Sequence, residues 1–372
     1  MVNVFAYYFP QFYPTKENSI WWGENFTDWI LVQQSQSLFK GHKQPHVPLN
    51  GYYNQSEIEV VNDQINLAVE YGLAGFNVYH YWFDNKSYLD IPLQHMSRSK
   101  NEKFKFFITW ANESWTRQWI GKPHDILLKQ TYANSHDEVV KHYLYLREFF
   151  HSPRYSKLDN KPVFSIYRPE MVKMLNEYMD KLNQLAIDDG FDGIHWLGCR
   201  SYHFKNEYDV YKDFNGIINF NPRYISNTSM KAGIEIRFKS YLRVLPEFIQ
   251  HYLSKFFSKS GVKIMSYDRF IDGLLEAENL CYGKPVYQSI VPNWDNTARY
   301  DRNATLFVGA TKEKFLHTFD ISLSKLTHNH ENFIFINAWN EWSESAYLEP
   351  DKKNQYSLLQ GLKDKILKSS HN

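Results

Sequence analysis

The feature that most constrains this chain is a recurrence. Eight short apolar segments, at 4–8, 75–81, 104–110, 162–167, 193–198, 216–220, 285–291 and 333–338, mostly run into aromatic and polar residues and then into stretches of helical spacing. Apolar runs of this length, with little alternation, read as strands buried on both faces. Strands separated by amphipathic stretches predict βαβ units and a parallel sheet, and eight of them predict a closed (β/α)8 TIM barrel, an α/β fold, with loop insertions. A doubly wound sheet is the competing architecture, and it fits less well because no G-x-G occurs among the 16 glycines.

The helical stretches carry their own boundaries. SEIEVVNDQINLAVEYG ends on Gly72, SHDEVVKHYLYLREFF opens on Ser135, and PEMVKMLNEYMDKLNQLAIDDG opens on Pro169. No linker, repeat or low-complexity segment divides the 372 residues, so one domain is expected over 1–372. Within it the segment 231–263 is basic and aromatic, with seven Lys and Arg against Glu235 and Glu247. It reads either as the solvated face of an inserted helical hairpin or as a surface for an anionic membrane or a phosphate-bearing substrate.

Charge and cysteine usage narrow the function classes. A net charge of +1 gives no reason to expect a nucleic-acid partner. Cys199 and Cys281 are too few for a disulfide scaffold and fit a reducing compartment. The first residues read as a strand and not as an export leader, and no run reaches the ~18 apolar residues of a membrane span. The expected location is cytoplasmic, peripheral to the inner membrane if the basic segment rests on lipid. Aromatic residues are abundant, with 27 Tyr, 27 Phe and 11 Trp, many of them beside polar residues. They fit a ring-rich core, or a cleft where sugar C–H faces stack on rings.

In a barrel of this kind the reactive residues lie just past the C-terminal ends of strands. Those positions hold YYFPQFYP, YHYWFDN, WANESWTRQW, VPNWDNTARYD and WNEWSES. The candidate sugar-binding residues there are Tyr8, His80, Trp82, Trp110, Asn112, Glu113, Trp115, Trp294, Asp295, Trp339, Asn340 and Trp342, with Glu349 beyond them. Glycoside chemistry requires one carboxyl to protonate the leaving oxygen and a second to assist at the sugar. Glu341 and Glu344 fill both roles if the chain turns helically between them, and Glu113 with Glu341 is the rival pair. The structural alternative makes Glu341 and Glu344 first-turn acids of a helix. His42 with His46, and His328 with His330, have only loose metal-ligand spacing, so neither a metal nor a cofactor is expected.

A series of segments running nearly the whole length resembles the WbsX-like family. They are YYFPQFYP, WWGENFTDW, GFNVYHYWF, WANESWTRQW, KPVFSIYRP, PNWDNTARY and INAWNEWSESAYLEPD. That family is named for glycosyltransferases of lipopolysaccharide biosynthesis and is related to glycoside hydrolase family 99. The second likeness rests on Asn340-Glu341-Trp342-Ser343-Glu344, with Glu349 beyond. It implies a (β/α)8 barrel acting on α-mannosides with retention. By the same resemblance, Glu341 is the base for the sugar's own 2-hydroxyl and Glu344 is the general acid/base.

Together these readings predict a carbohydrate-active enzyme. It would cleave or transfer a glycosyl unit of an oligosaccharide or polysaccharide, free or lipid-linked, during synthesis of a bacterial surface polysaccharide. Two other readings stand beside it. One is a nucleotide-sugar-dependent glycosyltransferase, against which the absence of D-x-D and of a Rossmann fingerprint weighs. The other is a glycan-binding module without catalysis.

Overall fold

Eight parallel strands close on themselves in the computed structural model, which describes residues 2–117, 122–132, 135–230, 261–327 and 331–369. They are β1 (Asn3–Tyr8), β2 (Gly75–Phe83), β3 (Lys105–Trp110), β4 (Lys161–Ile166), β5 (His195–Arg200), β6 (Gly216–Asn219), β7 (Lys284–Ile290) and β8 (Phe333–Ile336). Each neighbours the next in sequence, and β1 closes the ring by pairing with both β2 and β8, Phe5 opposite Gly75 and Asn3 opposite Phe333. All eight segments expected from the sequence are these strands, with ends displaced by no more than two residues. At the entry to β2 the barrel depends on a glycine. A Cβ on Gly75 would lie 1.6 Å from the Lys105 carbonyl oxygen.

Strand side chains alternate between the barrel interior and the helix layer, and that parity positions everything that follows. Inward, Tyr7 stacks on Tyr79 with ring centroids 5.4 Å apart and meets Phe220 edge-on at 5.2 Å. Thr109 donates to Asn77 across the interior at 2.6 Å. Outward, Tyr8 donates to Gln64 at 2.6 Å and packs on Phe76. The helices used below are α1 (Lys16–Trp22), α2 (Asp28–Gln34), α3 (Ile58–Glu70), α4 (His136–Phe150), α5 (Leu175–Asp188), α6 (Arg223–Asn227) and α7 (Thr297–Tyr300). On α3 the buried positions Val61, Ile65 and Ala68 recur at helical spacing and cover the barrel wall. Ser135 caps α4 through a reciprocal pair of bonds with Glu138.

The helix expected to open at Pro169 opens at Leu175 instead. Residues Pro169–Met171 form a separate 3-10 turn, and Met174 at φ 52° breaks the path before α5 begins. The turn keeps Glu170 within 2.5 Å of Arg168, whose guanidinium also pairs with Glu113 on the rim. Of the basic segment 231–263, residues 231–260 lie outside the described residues. Lys263 opens the short strand Lys263–Ser266, which pairs in parallel with Thr305–Val308. Among the described residues no helix is long and apolar enough to cross a membrane.

Between the wall at β2 and β3 and helices α4 and α5 lies a buried imidazole chain. His80 Nε2 meets His142 Nε2 at 3.0 Å, and His142 Nδ1 meets the Tyr178 hydroxyl at 2.9 Å. Trp82 stacks flat on His142 at 4.7 Å and Trp110 meets it edge-on at 5.2 Å. Burial pushes the His80 pKa down to about 3, and burial with the His80 neighbour drives His142 well below its usual range. Both rings are therefore neutral when folded, whereas the unfolded chain protonates them near pH 6.5. The unfolded state thus binds more protons below that pH, and stability falls as the pH falls. Chemical denaturation at pH 7 and pH 5 should show a loss of about 2 kcal/mol for each of the two histidines. A His80→Phe, His142→Phe double variant should show a correspondingly shallower pH slope.

Candidate active site

The run Phe333–Ile336 is apolar and fully buried, and the chain leaves it at the C-terminal rim. Trp339 N–H donates to the Tyr7 carbonyl and Asn337 N–H to that of Ile290, so the exit is fastened to β1 and β7. Asn340–Glu341 then pairs antiparallel with Ala346–Tyr347, and a 3-10 turn, Trp342–Glu344, joins the two. With about three residues per turn, side chains at i and i+3 eclipse, which brings Glu341 and Glu344 to one face. No long helix follows: Ser345 at φ 49° returns the chain to a strand, so first-turn acids of a helix do not describe this pair.

One guanidinium joins the two carboxylates. Arg299, in α7 on the β7 loop, donates through Nη1 to Glu344 Oε1 at 2.7 Å and through Nη2 to Glu341 Oε1 at 2.8 Å. The same Nη2 reaches Asp28 Oδ2 at 3.1 Å, and the guanidinium lies over the Phe9 ring at 5.2 Å. Only 8% of the Arg299 side chain is exposed, and 1% of Asp28. Ser343 Oγ is within hydrogen-bonding distance of both Asp28 Oδ2 and Glu341 Oε1, at 2.9 and 3.2 Å.

The two glutamates differ in their remaining partners. Glu344 Oε2 accepts from the Trp294 indole at 3.0 Å, so both its oxygens accept N–H bonds. Glu341 takes its bonds on Oε1, and its Oε2 has no donor among the described residues. Burial opposes charge on Glu344, but Arg299, then Arg223, then the indole outweigh it and hold the carboxyl below its usual range. For Glu341 burial dominates over Arg299, and Glu344 and Asp28 add to it, so its carboxyl is raised. The surroundings thus favour a proton on Glu341 and a charge on Glu344. This is the reverse of the charge states that the roles carried by resemblance require.

Both carboxylates line a cavity of about 170 Å³ at the barrel mouth. Its walls come from the ends of seven strands: Phe9 after β1, Tyr79 and Tyr81 of β2, Glu113 after β3, Tyr167 after β4, Phe220 and Arg223 after β6, Arg299 after β7, and Asn337 with the glutamates after β8. Trp21 and Trp22 of α1 and Trp115 complete the opening, Trp21 and Trp115 meeting edge-on at 5.6 Å. Arg117 ties these parts together by donating to the Trp21 carbonyl at 2.7 Å.

The structure sorts the sequence-derived candidates. Glu113, Trp115, Glu341 and Glu344 line the cavity, and Trp294 touches Glu344. Tyr8, His80, Trp82 and Trp110 do not, because they occupy the outward parity of their strands; the inward partners Tyr79 and Tyr81 take that place. Asn112 and Asn340 are backbone clips. Asn112 exchanges bonds with the Arg168 N–H and carbonyl, both at 2.8 Å, and Asn340 does the same with Phe9 at 2.8 and 3.0 Å. Each clip is followed by a glutamate on the cavity wall.

Trp339 is buried against Phe76, also away from the cavity. Glu349 accepts from Tyr53, Gln64 and Trp342, at 2.7, 2.7 and 2.8 Å, so Glu349 and Trp342 brace the hairpin from behind. Asp295 accepts from Gln44 and Thr297, and at 2.7 Å from His42, whose Nδ1 accepts from the Leu38 N–H. His42 is thereby committed to a loop clamp. His46 is engaged by Tyr347, and His328 and His330 lie outside the described residues. Sequence reasoning missed Asp28, Arg223 and Arg299. Arg299 shares its loop with Trp294 and Asp295, but only the folded chain brings it to the glutamates.

A closed (β/α)8 barrel with carboxylates and aromatic rings at its mouth is an architecture that carbohydrate-active enzymes use. The chain belongs to the WbsX glycosyltransferase family, whose profile matches residues 4–362. WxcX proteins of two Xanthomonas campestris pv. campestris strains are 28% identical over 369 residues, 98% of this chain. The chain spans about half (49%) of the length of these curated relatives. Among solved structures, the GH99 endo-α-mannosidase of Bacteroides thetaiotaomicron superposes with a TM-score of 0.56 at 12% identity, over 99% of this chain and 97% of that one. A glycoside hydrolase-like protein superposes with a TM-score of 0.58 at 12% identity, over 98% and 94%. These likenesses are of fold.

The triple ion pair makes a test of its own. Arg299→Met leaves Asp28, Glu341 and Glu344 buried without their shared counter-charge, a situation that costs about 3–5 kcal/mol when one partner of a buried pair is removed. Without the arginine the three carboxyls titrate higher in the folded state, so the deficit should grow as pH rises. Melting temperatures of variant and parent should be closest near pH 5 and farthest apart near pH 8.

Proposed function

We propose that this chain cleaves or transfers a glycosyl unit in the synthesis of a bacterial surface polysaccharide, with Glu341 and Glu344 as its acid–base pair. The observation that carries the reading is the single guanidinium that holds both carboxyls, in unlike surroundings, on the wall of a ring-lined cavity. Family membership and the barrel shared with glycoside hydrolases support the same class of chemistry.

The unlike surroundings of the two carboxyls support a division of roles. Glu341 Oε2, without a protein donor, carries the proton and gives it to the departing glycosidic oxygen as the bond to the sugar carbon breaks. Glu344 removes a proton from the hydroxyl that attacks that carbon, which is the sugar's own 2-hydroxyl in the route the resemblance implies. Arg299 keeps the pair at one shared proton throughout. Tyr79, Tyr81, Tyr167 and the indoles offer faces for the sugar ring and shield the reacting bond from water.

Activity should be bell-shaped in pH. It is lost as pH rises through the raised value of Glu341 and as it falls through the lowered value of Glu344. Glu341→Gln should reduce turnover of a natural glycoside by about 10²–10⁴-fold. An activated aryl glycoside, which needs little protonation, should recover much of that loss. Glu344→Gln should be severe for both substrates. The opposite pattern returns the proton to Glu344, and near-parental activity in both variants removes the pair and turns attention to Glu113.

A further inference from the structure

One guanidinium on the cavity wall has no bonded partner among the described residues. Glu113 is matched by Arg168, which also holds Glu170, and Asp28, Glu341 and Glu344 are matched by Arg299. Arg223, the first residue of α6, lines the same cavity and forms no ion pair or side-chain hydrogen bond among the described residues. Tyr167, and after it Glu344 and Glu113, act on it only through space. A partly buried guanidinium beside rings and without a bonded partner is a costly arrangement unless a ligand completes it.

The backbone that carries it is fastened to its neighbours. Just before it, Asn221 N–H donates to Ser289 Oγ at 2.7 Å, Asn221 Nδ2 to the Ser289 carbonyl at 2.9 Å, and Asn337 Nδ2 to the Asn221 carbonyl at 2.8 Å. The chain carrying Arg223 is therefore fastened to the ends of β7 and β8, the strands that also deliver Arg299 and the glutamates. A preorganised fork loses little entropy on forming its bonds.

We propose that Arg223 is a specificity-determining residue that binds the carboxylate of an acidic sugar, so that the glycosyl unit handled at this site is a uronic acid. The inference rests on the reading of this cavity as a glycosyl site and names its substrate class. A guanidinium takes a carboxylate through two parallel bonds, and the Arg223 fork, unbonded among the described residues, has room for one such pair. A diphosphate would bring more charge than Arg223 can neutralise, next to Glu113 and Glu344. A neutral sugar would leave the guanidinium without a charged partner.

Binding tests this without turnover, read by the fluorescence of the lining tryptophans Trp21, Trp22 and Trp115. The probes are D-glucuronate, D-galacturonate and D-mannuronate, their neutral hexoses, and the hexose 6-phosphates. At least one uronate should bind about ten- to a hundred-fold more tightly than its hexose, the range for a charge-assisted pair. Arg223→Gln should abolish that preference while leaving hexose binding within about two-fold, and Arg223→Lys should retain part of it. If no uronate binds better than its hexose, or if the preference survives in Arg223→Gln, the proposal is wrong. Tighter binding of a hexose phosphate than of any uronate replaces the carboxylate with a phosphate and also overturns it. If Arg223 merely sustains the charge of Glu344, Arg223→Gln shifts the pH profile and leaves uronate preference unchanged. Should Arg223→Gln fail to fold, Arg223→Lys decides by the same ratio. Because no reaction is required, the result is independent of whether Glu341 and Glu344 are the catalytic pair.

Discussion

Arg299 holds three carboxylates, and the mouth of the barrel is organised around that contact. Asp28 comes from α2, Glu341 and Glu344 from the hairpin after β8, and Arg299 itself from the loop after β7. Separately, each would be a buried charge with a heavy desolvation penalty. Together they fix the relative positions of three loops and create the asymmetry on which the proposed chemistry depends. Glu344 receives N–H donors on both oxygens, which favour its charged form, while Glu341 has one oxygen without a donor among the described residues and is raised by burial. Two carboxyls three residues apart are thus shifted in opposite directions by their surroundings.

Around this core the polar residues of the rim divide into those that face the cavity and those that secure the backbone. Asn112 and Asn340 clip neighbouring loops, Asp295 clamps His42 and Gln44, and Glu349 gathers Tyr53, Gln64 and Trp342 behind the hairpin. Such bracing lets a site built from seven different strand ends keep sub-ångström geometry. It also explains why so many motif residues lie out of a substrate's reach. The likeness to the endo-α-mannosidase structure, at 12% identity, is a likeness of scaffold and carries no sugar specificity to this chain.

The architecture was legible because it rests on a period the chain displays openly. Unalternating apolar runs such as Phe333–Ile336, separated by helical stretches, specify buried parallel strands, and eight of them leave few topologies. Proximity of the two glutamates was also legible, since three residues of separation and a short turn suffice. The 3-10 turn at Pro169 was not, because it answers to Arg168 and its partners Glu113 and Glu170, contacts made across the rim.

For the site, the sequence by itself determined five of the loops that surround it and three of their acids, Glu113, Glu341 and Glu344. Only the tertiary structure decided which side chain of each pair of neighbours faces the cavity. In β2, Tyr79 and Tyr81 point inward while His80 and Trp82 point outward, and a shift of one residue exchanges the sets. Aromatic residues occupy both parities here, so composition carries no signal about facing. Protonation was equally beyond the sequence. The difference between Glu341 and Glu344 arises from Arg299, Arg223, Trp294 and Asp28, and Asp28 is brought to them from the far end of the chain by closure of the barrel.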